Sequence, residues 1–477
     1  MSNKPFIKLF KTNDKYYMYD VNKNVILNIS NKQYNFLENC IKNDVDDYIK
    51  SKETNKFYEE GFLSSNRPKE IVNISDDLLS HYLENNVKLL TLQITQQCNF
   101  RCEYCAYSGD YLNRTHSNKK MSISTALKGI DFLINHSKNN DTVNIAFYGG
   151  EPLLEFNFIK QCIEYAEKKA DGKNVTYSMT TNGSILNDEI VEFLYKHAVD
   201  LTISLDGPKE IHDIHRKFAF DNKGSFDKVI NNINNIKKKF PKYLNNIFFN
   251  AVIDAENNFS SIDEFFLNCK GIKDIPLTSS LISDSQRKSH IKISDDFMEK
   301  TQYELFRIFY YVLRKKNSKN YSRIIIKRYS EILKLSKDLM LQKMLPEKMH
   351  HAGPCIPGVQ RLFINADGYF YPCEKVSETS DLMQIGHVET GFDISKVKKL
   401  LNIGKINEKA CKDCWAIRFC GICAAMIDNS EKEFSSKVKE KCCKNAKVSL
   451  EEKFKDYCVL REFGYKFDEE EITLLNV

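Results

Sequence analysis

Between residues 89 and 282, short apolar runs alternate with amphipathic stretches, and this alternation leaves few folds open. Runs at 89–94, 143–147, 175–179, 201–204 and 247–253, with a weaker one near 275–282, read as buried strands. The stretches 122–137, 156–170, 188–197, 226–240 and 261–269 between them carry helical periodicity. Strands joined through helices run parallel, which predicts an α/β class.

Directly after the first run comes Cys98-Asn-Phe-Arg-Cys102-Glu-Tyr-Cys105, three thiols spaced by three and then two residues. A [4Fe–4S] cluster takes four cysteine ligands. Three cysteines would leave one iron able to bind something else, and an open metal position marks catalysis rather than structure. A zinc knuckle lacking one ligand, or chance clustering in a cysteine-rich chain, is the alternative. Composition bears on the choice. The chain has 477 residues, 42% hydrophobic and 28% charged, with 15 cysteines. That describes a soluble globular protein of about two to four domains. No run of about 18 apolar residues is present to span a membrane, and Met1-Ser-Asn-Lys-Pro-Phe6 lacks a signal-peptide core. A cytoplasmic location is expected, where cysteines serve as metal ligands more often than as disulfides. The net charge of +6 is small for this length and singles out no nucleic-acid partner.

The cysteine spacing, with aromatic Tyr104 before the third thiol, resembles the signature of radical S-adenosylmethionine (SAM) enzymes. In that family SAM's methionine chelates the free iron, and the reduced cluster cleaves SAM to a 5′-deoxyadenosyl radical. The resemblance implies a partial (β/α)6, TIM-like barrel over 85–285, with Cys98, Cys102 and Cys105 as catalytic cluster ligands and an electron donor such as flavodoxin or ferredoxin. In such barrels functional loops follow the strands' C-terminal ends. Tyr148-Gly149-Gly150-Glu151-Pro152 follows the second strand and resembles the family's GGE sequence, which binds SAM's amino group. Thr180-Thr181-Asn182-Gly183 and Ser204-Leu205-Asp206-Gly207 follow the third and fourth. On composition both are turns; the resemblance puts Asn182 and Ser204 near SAM's ribose and methionine. His212-Asp213-Ile-His215-Arg216 resembles the same stretch in peptide-modifying members. Arg216 is then a candidate for SAM's carboxylate, a surface salt bridge being the alternative.

Residues 1–80 open with three strand-like runs, at 6–10, 16–19 and 25–29, followed by helical patterns at 32–41 and 44–58 that end at Gly61. This resembles a winged-helix-like RiPP recognition element, which binds the leader of a ribosomally made precursor peptide by strand addition. A domain that only covers the barrel mouth is the alternative. Residues 64–80 read as a linker, and 286–350 as a charged helical bridge.

Cysteines return over 351–445. Cys355 is followed after twelve residues by Gly368 and after four more by Cys373; then come Cys411-x2-Cys414-x5-Cys420-x2-Cys423 and Cys442-Cys443. Two C-x2-C pairs also suit tetrahedral zinc. The array resembles the SPASM extension, whose cysteines bind two auxiliary [4Fe–4S] clusters, giving three clusters in all. It departs from the family at Cys420-Gly-Ile-Cys423, one residue short. Position by position, Cys355, Cys373 and Cys423 fall to the first auxiliary cluster, and Cys411, Cys414, Cys420 and Cys442 to the second. A cysteine that other members place before Cys355 is missing, so the first auxiliary cluster is expected to have an open iron for a substrate thiolate, unless His350, His351 or Cys443 closes it. Residues 446–477 read as a helical tail. Cys40, Cys162, Cys269 and Cys458 lack ligand spacing and read as buried hydrophobes.

Together these resemblances imply a maturase that removes hydrogen from a precursor peptide and forms thioether bonds from cysteine sulfur to carbon. The alternatives are an anaerobic sulfatase-maturing enzyme, a maturase forming C–C or C–O cross-links, and a non-enzymatic iron–sulfur scaffold.

Overall fold

The structure, a computed structural model, describes residues 4–43, 51–108, 110–111, 114–283, 287–315, 321–351, 353 and 355–467. Turn residues divide the N-terminal sequence into β1 (Ile7–Lys11), β2 (Tyr16–Asp20) and β3 (Val25–Ile29), which form an antiparallel sheet in that order. Asn24, with φ of 58°, makes the left-handed turn into β3. The helix Asn31–Asn43 then packs Leu37 and Cys40 on the sheet. The expected helix at 44–58 lies partly outside the described residues; of it, Asn55–Glu59 is helical. The expected linker holds β4 (Glu70–Ile71), whose partner is far along the chain. Two residues carry no periodicity from which such a strand could be read.

Six strands form the centre: β5 (Leu89–Thr95), β6 (Thr142–Gly149), β7 (Asn174–Thr181), β8 (Asp200–Ser204), β9 (Ile247–Ile253) and β10 (Leu277–Leu281). They lie parallel and in chain order, each beside its sequence neighbour. Right-handed crossovers in one direction place the intervening helices on one face. Ser122, Asn187 and Asn258 cap three of these helices by accepting from Thr125 N, Ile190 N and Ser261 N, about 1 kcal/mol each.

The second cysteine region does not stand apart. After β11 (Lys348–Met349), which pairs with β4, comes β12 (Leu362–Ile364), which pairs parallel with β5. The antiparallel strands β13 (Tyr369–Tyr371), β14 (Gly386–His387) and β15 (Gly391–Phe392) extend the same sheet to ten strands. The helix Ser436–Glu462 then runs through the expected boundary at 445. It carries the N-terminal sheet: Phe10 and Tyr19 pack on Phe454, and Lys8 pairs with Glu451 at 2.7 Å. No helix among the described residues is long and apolar enough to cross a membrane.

Candidate functional site

The three cysteines of the first motif lie on the loop that leaves β5, just past an irregularity between Gln93 and Thr95. Backbone bonds from Arg101 N to Lys217 O (2.9 Å) and from Ala219 N to Asn99 O (2.8 Å) fasten this loop to the segment after Arg216. Phe100 packs edge-on against Phe218. Burial, then the charges of Glu151 and Cys105, push the Cys98 thiol up to about 12. Burial likewise raises Cys102 and Cys105. Thiols this dry give up their protons to a metal centre rather than to water. Among the described residues, no three His, Cys, Asp or Glu side chains are gathered as they would be around one metal ion; a cubane cluster instead spreads its thiolates over several irons. Three desolvated thiols on one loop fit a [4Fe–4S] group.

Glycine is required where β6 ends. A Cβ on Gly149 would stand 2.0 Å from Thr95 O, and one on Gly150 2.1 Å from Gln97 O. The backbone here passes directly beneath the cysteine loop. Glu151 follows, 1% exposed. Its carboxylate accepts from Leu153 N (3.1 Å), Thr181 Oγ1 (2.7 Å) and Asn182 N (2.7 Å). A carboxylate offers about four lone-pair directions, so roughly one is left for a further donor such as an ammonium. Burial outweighs these bonds and lifts the carboxyl to about 7. Asn182 in turn donates to Asn99 Oδ1 (2.8 Å) and stands 3.9 Å from Cys98 Sγ. Ser204 is buried at the end of β8.

Arg216 differs from expectation. Its Nε and Nη2 donate to the buried Asp206 at 2.8 and 3.2 Å, and Tyr104 OH also donates to Asp206. The fork expected to face SAM's carboxylate therefore grips a carboxylate of the protein. Burial opposes ionisation of Asp206, but Arg216 prevails and holds its carboxyl below the usual range. Outside Tyr104 lies a cleft of about 230 Å³ lined by charged groups that include Glu103, His215, Asp254 and Lys292. His215 bridges Glu103 (3.1 Å) and Asp254 (3.0 Å).

A second buried network ties this loop to the C-terminal region. Arg114 Nε lies 2.6 Å from Glu378 Oε1, the two side chains being 4% and 7% exposed. Gln93, on β5, donates to Glu378 Oε1 (2.7 Å), and its own Oε1 accepts from Ala366 N (3.0 Å). Tyr107, two residues past Cys105, sits at 2.8 Å from Gln93 Nε2. None of Asp206, Gln93, Arg114 or Glu378 stood out in the sequence. Asp206 carried one signal, its place directly after a strand end.

Of the later cysteines, Cys411, Cys414, Cys420 and Cys443 line one cavity of about 190 Å³, together with His351 and Lys439. Cys442, expected among them, instead stands near Cys423. His350 faces elsewhere, its Nε2 accepting from Gly404 N at 2.8 Å. Cys40, Cys162 and Cys458 are buried, and Cys269 is half-buried.

Residues 92–266 match the family model of the Radical SAM superfamily, a family that uses SAM and a [4Fe–4S] cluster. Its relatives include a cysteine-type anaerobic sulfatase-maturating enzyme of Clostridium novyi (strain NT), 27% identical over 339 residues, or 69% of this chain and 85% of that enzyme. Another is the radical SAM cyclopropyl synthase TigE of Paramaledivibacter caminithermalis, 25% identical over 237 residues; the match spans 47% of each. A solved structure of native anSMEcpe with bound AdoMet shares the fold, with a TM-score of 0.57 at 21% identity, over 79% of this chain and 99% of that one.

Proposed function

We propose that the chain is a radical SAM maturase of a ribosomally made precursor peptide and that it forms thioether bonds. The observation that carries the reading is the layered site at the strand ends: three dry thiols on the loop after β5, with Gly149, Gly150 and Glu151 directly beneath them. Cys98, Cys102 and Cys105 would hold the cluster, the free lone pair of Glu151 would accept SAM's ammonium, and Asn182 and Ser204 would line its ribose and methionine. When bound, cluster and SAM supply a radical able to remove hydrogen from an unactivated carbon. The protein's part is positioning. Asp206 fixes Arg216 and Tyr104 against the cysteine loop, and Glu151 joins the ends of β6 and β7.

A peptide substrate is supported by the N-terminal sheet. β1 is covered by the helix Ser436–Glu462, whereas the outer edge of β3 has no strand partner among the described residues. An open edge accepts an extended leader as a further strand. The net change in such a peptide is one C–H and one S–H bond lost and one C–S bond gained; the carbon's hydrogen atom would leave as 5′-deoxyadenosine, the thiol proton to solvent and the second electron to a C-terminal iron–sulfur cluster. A second reading, oxidation of a sulfatase cysteine to formylglycine, is favoured by the match over 85% of the Clostridium novyi enzyme.

Anaerobic co-expression with a short cysteine-rich candidate peptide, taken from a neighbouring reading frame where one is encoded, separates the two. The thioether reading expects loss of two hydrogens per bond with matching loss of alkylatable thiol. Loss of hydrogen with every thiol retained rules it out, and replacement of the thiol by an aldehyde supports formylglycine.

A further inference from the structure

The resemblance to the SPASM extension left the first C-terminal cysteine set one thiolate short and gave Cys442 to the second. The structure divides them otherwise. Cys442 and Cys443 are neighbours on the helix Ser436–Glu462. Successive helical residues point about 100° apart and do not face each other, so the pair serves two sides of the helix. Cys443 looks into the cavity of about 190 Å³ shared with Cys411, Cys414 and Cys420. Cys442 looks away from it. Its Sγ lies 3.3 Å from Met426 O, on the helical turn Ala424–Ile427 that starts directly after Cys423. Cys423 stands within electrostatic range of Cys442, Cys355 and Cys373.

Two further buried polar groups face the Cys443 cavity, and one of them, Lys439, suits an anion there. Lys439 is 1% exposed and has no carboxylate partner among the described residues. Its ammonium donates to Ile403 O (2.9 Å), Gly404 O (3.3 Å) and Cys411 Sγ (3.4 Å). A buried ammonium is stable only with negative charge beside it, and four thiolates around an iron–sulfur core supply that charge. His351 is also buried at the cavity. Neither of its ring nitrogens completes a hydrogen bond, the Cys420 backbone approaching without the geometry of one.

We propose that Cys442 and Cys443 belong to two different iron–sulfur sites, Cys443 completing Cys411, Cys414 and Cys420, and Cys442 completing Cys355, Cys373 and Cys423. Both C-terminal sites then have four thiolates and neither presents an open iron. This rests on reading the C-terminal cysteines as cluster ligands. A substrate thiol meets no vacant auxiliary iron, and the open iron of the molecule is the one at Cys98, Cys102 and Cys105. One helix joins the two sites through adjacent residues, whose Cα atoms stand about 3.8 Å apart.

The test uses the full chain with Cys98, Cys102 and Cys105 changed to Ala, reconstituted anaerobically and followed by iron content, Mössbauer and EPR spectra. This parent should hold about eight irons in two [4Fe–4S] clusters, and excess 2-mercaptoethanol should leave its spectra unchanged. Adding Cys442→Ala should make one cluster signal respond to the thiol, the same signal that Cys355→Ala alters. Adding Cys443→Ala should alter the other signal, the one that Cys411→Ala alters. A thiol response in the parent, or grouping of Cys442→Ala with Cys411→Ala, overturns the proposal. Cys442→Ser, which keeps a ligand oxygen, guards against misfolding: a shifted signal at full iron content is expected, and an unchanged spectrum overturns the assignment. A parent without iron removes the cluster reading as well. Unmodified peptide after co-expression with the native chain, alongside the expected spectra of these variants, overturns the function alone.

Discussion

At the scale of single residues, Glu151 concentrates the most tension. Three hydrogen bonds fail to offset its burial, and its carboxyl titrates near 7 rather than 4.5. The folded state therefore holds the proton more tightly than the unfolded state. The resulting stabilisation is complete below about pH 4.5 and is lost as pH rises through 7, about 3 kcal/mol in all. Thermal melting of the ligand-free protein across that window should show this loss, and Glu151→Gln should flatten it. At pH 7.5, SAM should stabilise the native protein more than the variant, because an ammonium beside the ionised carboxylate offsets its burial. Equal stabilisation would remove Glu151 from the SAM site. Sequence position alone marked Glu151, Gly149 and Gly150, because each follows a strand whose apolar run is plain. It could not show Asp206 holding Arg216, since a carboxylate in a turn is usually a turn residue.

At the scale of elements, the seam between β5 and β12 brings the two cysteine regions together, and Arg114 and Glu378 close it. Breaking a buried ion pair leaves a bare charge, so Arg114→Met or Glu378→Leu alone should cost about 3–5 kcal/mol. Changing both should cost clearly less than the sum, as a double-mutant cycle of melting midpoints would record. Additive losses would mean that the pair is uncoupled. This seam was illegible in the sequence. β12 is three residues long, and Gln93 and Glu378 meet only because parallel pairing joins segments 285 residues apart. By contrast, the first five central strands and the helices between them announce themselves by period, because each buries whole apolar faces. The helix Ser436–Glu462 shows the limit of spacing as a guide. The SPASM resemblance takes one ligand from Cys442-Cys443, whereas helical geometry turns the two thiols to different sides.

At the scale of the whole molecule, the N-terminal sheet, the central parallel strands and the later cysteines are held by shared contacts rather than by linkers. Phe10 and Tyr19 rest on the same helix that carries Cys442 and Cys443. A leader bound at β3 would thus act on an element that continues to the C-terminal cysteine sites. The radical SAM chemistry assigned to the loop after β5 is the claim on which the rest depends, and one assay addresses it directly. Reconstituted protein is reduced anaerobically with SAM, and 5′-deoxyadenosine is quantified for the native chain and for Cys98→Ala. The native chain should form 5′-deoxyadenosine, and Cys98→Ala should form none while keeping the iron of its C-terminal sites. Equal product from both, or no product from a fully iron-loaded native chain, would contradict the account.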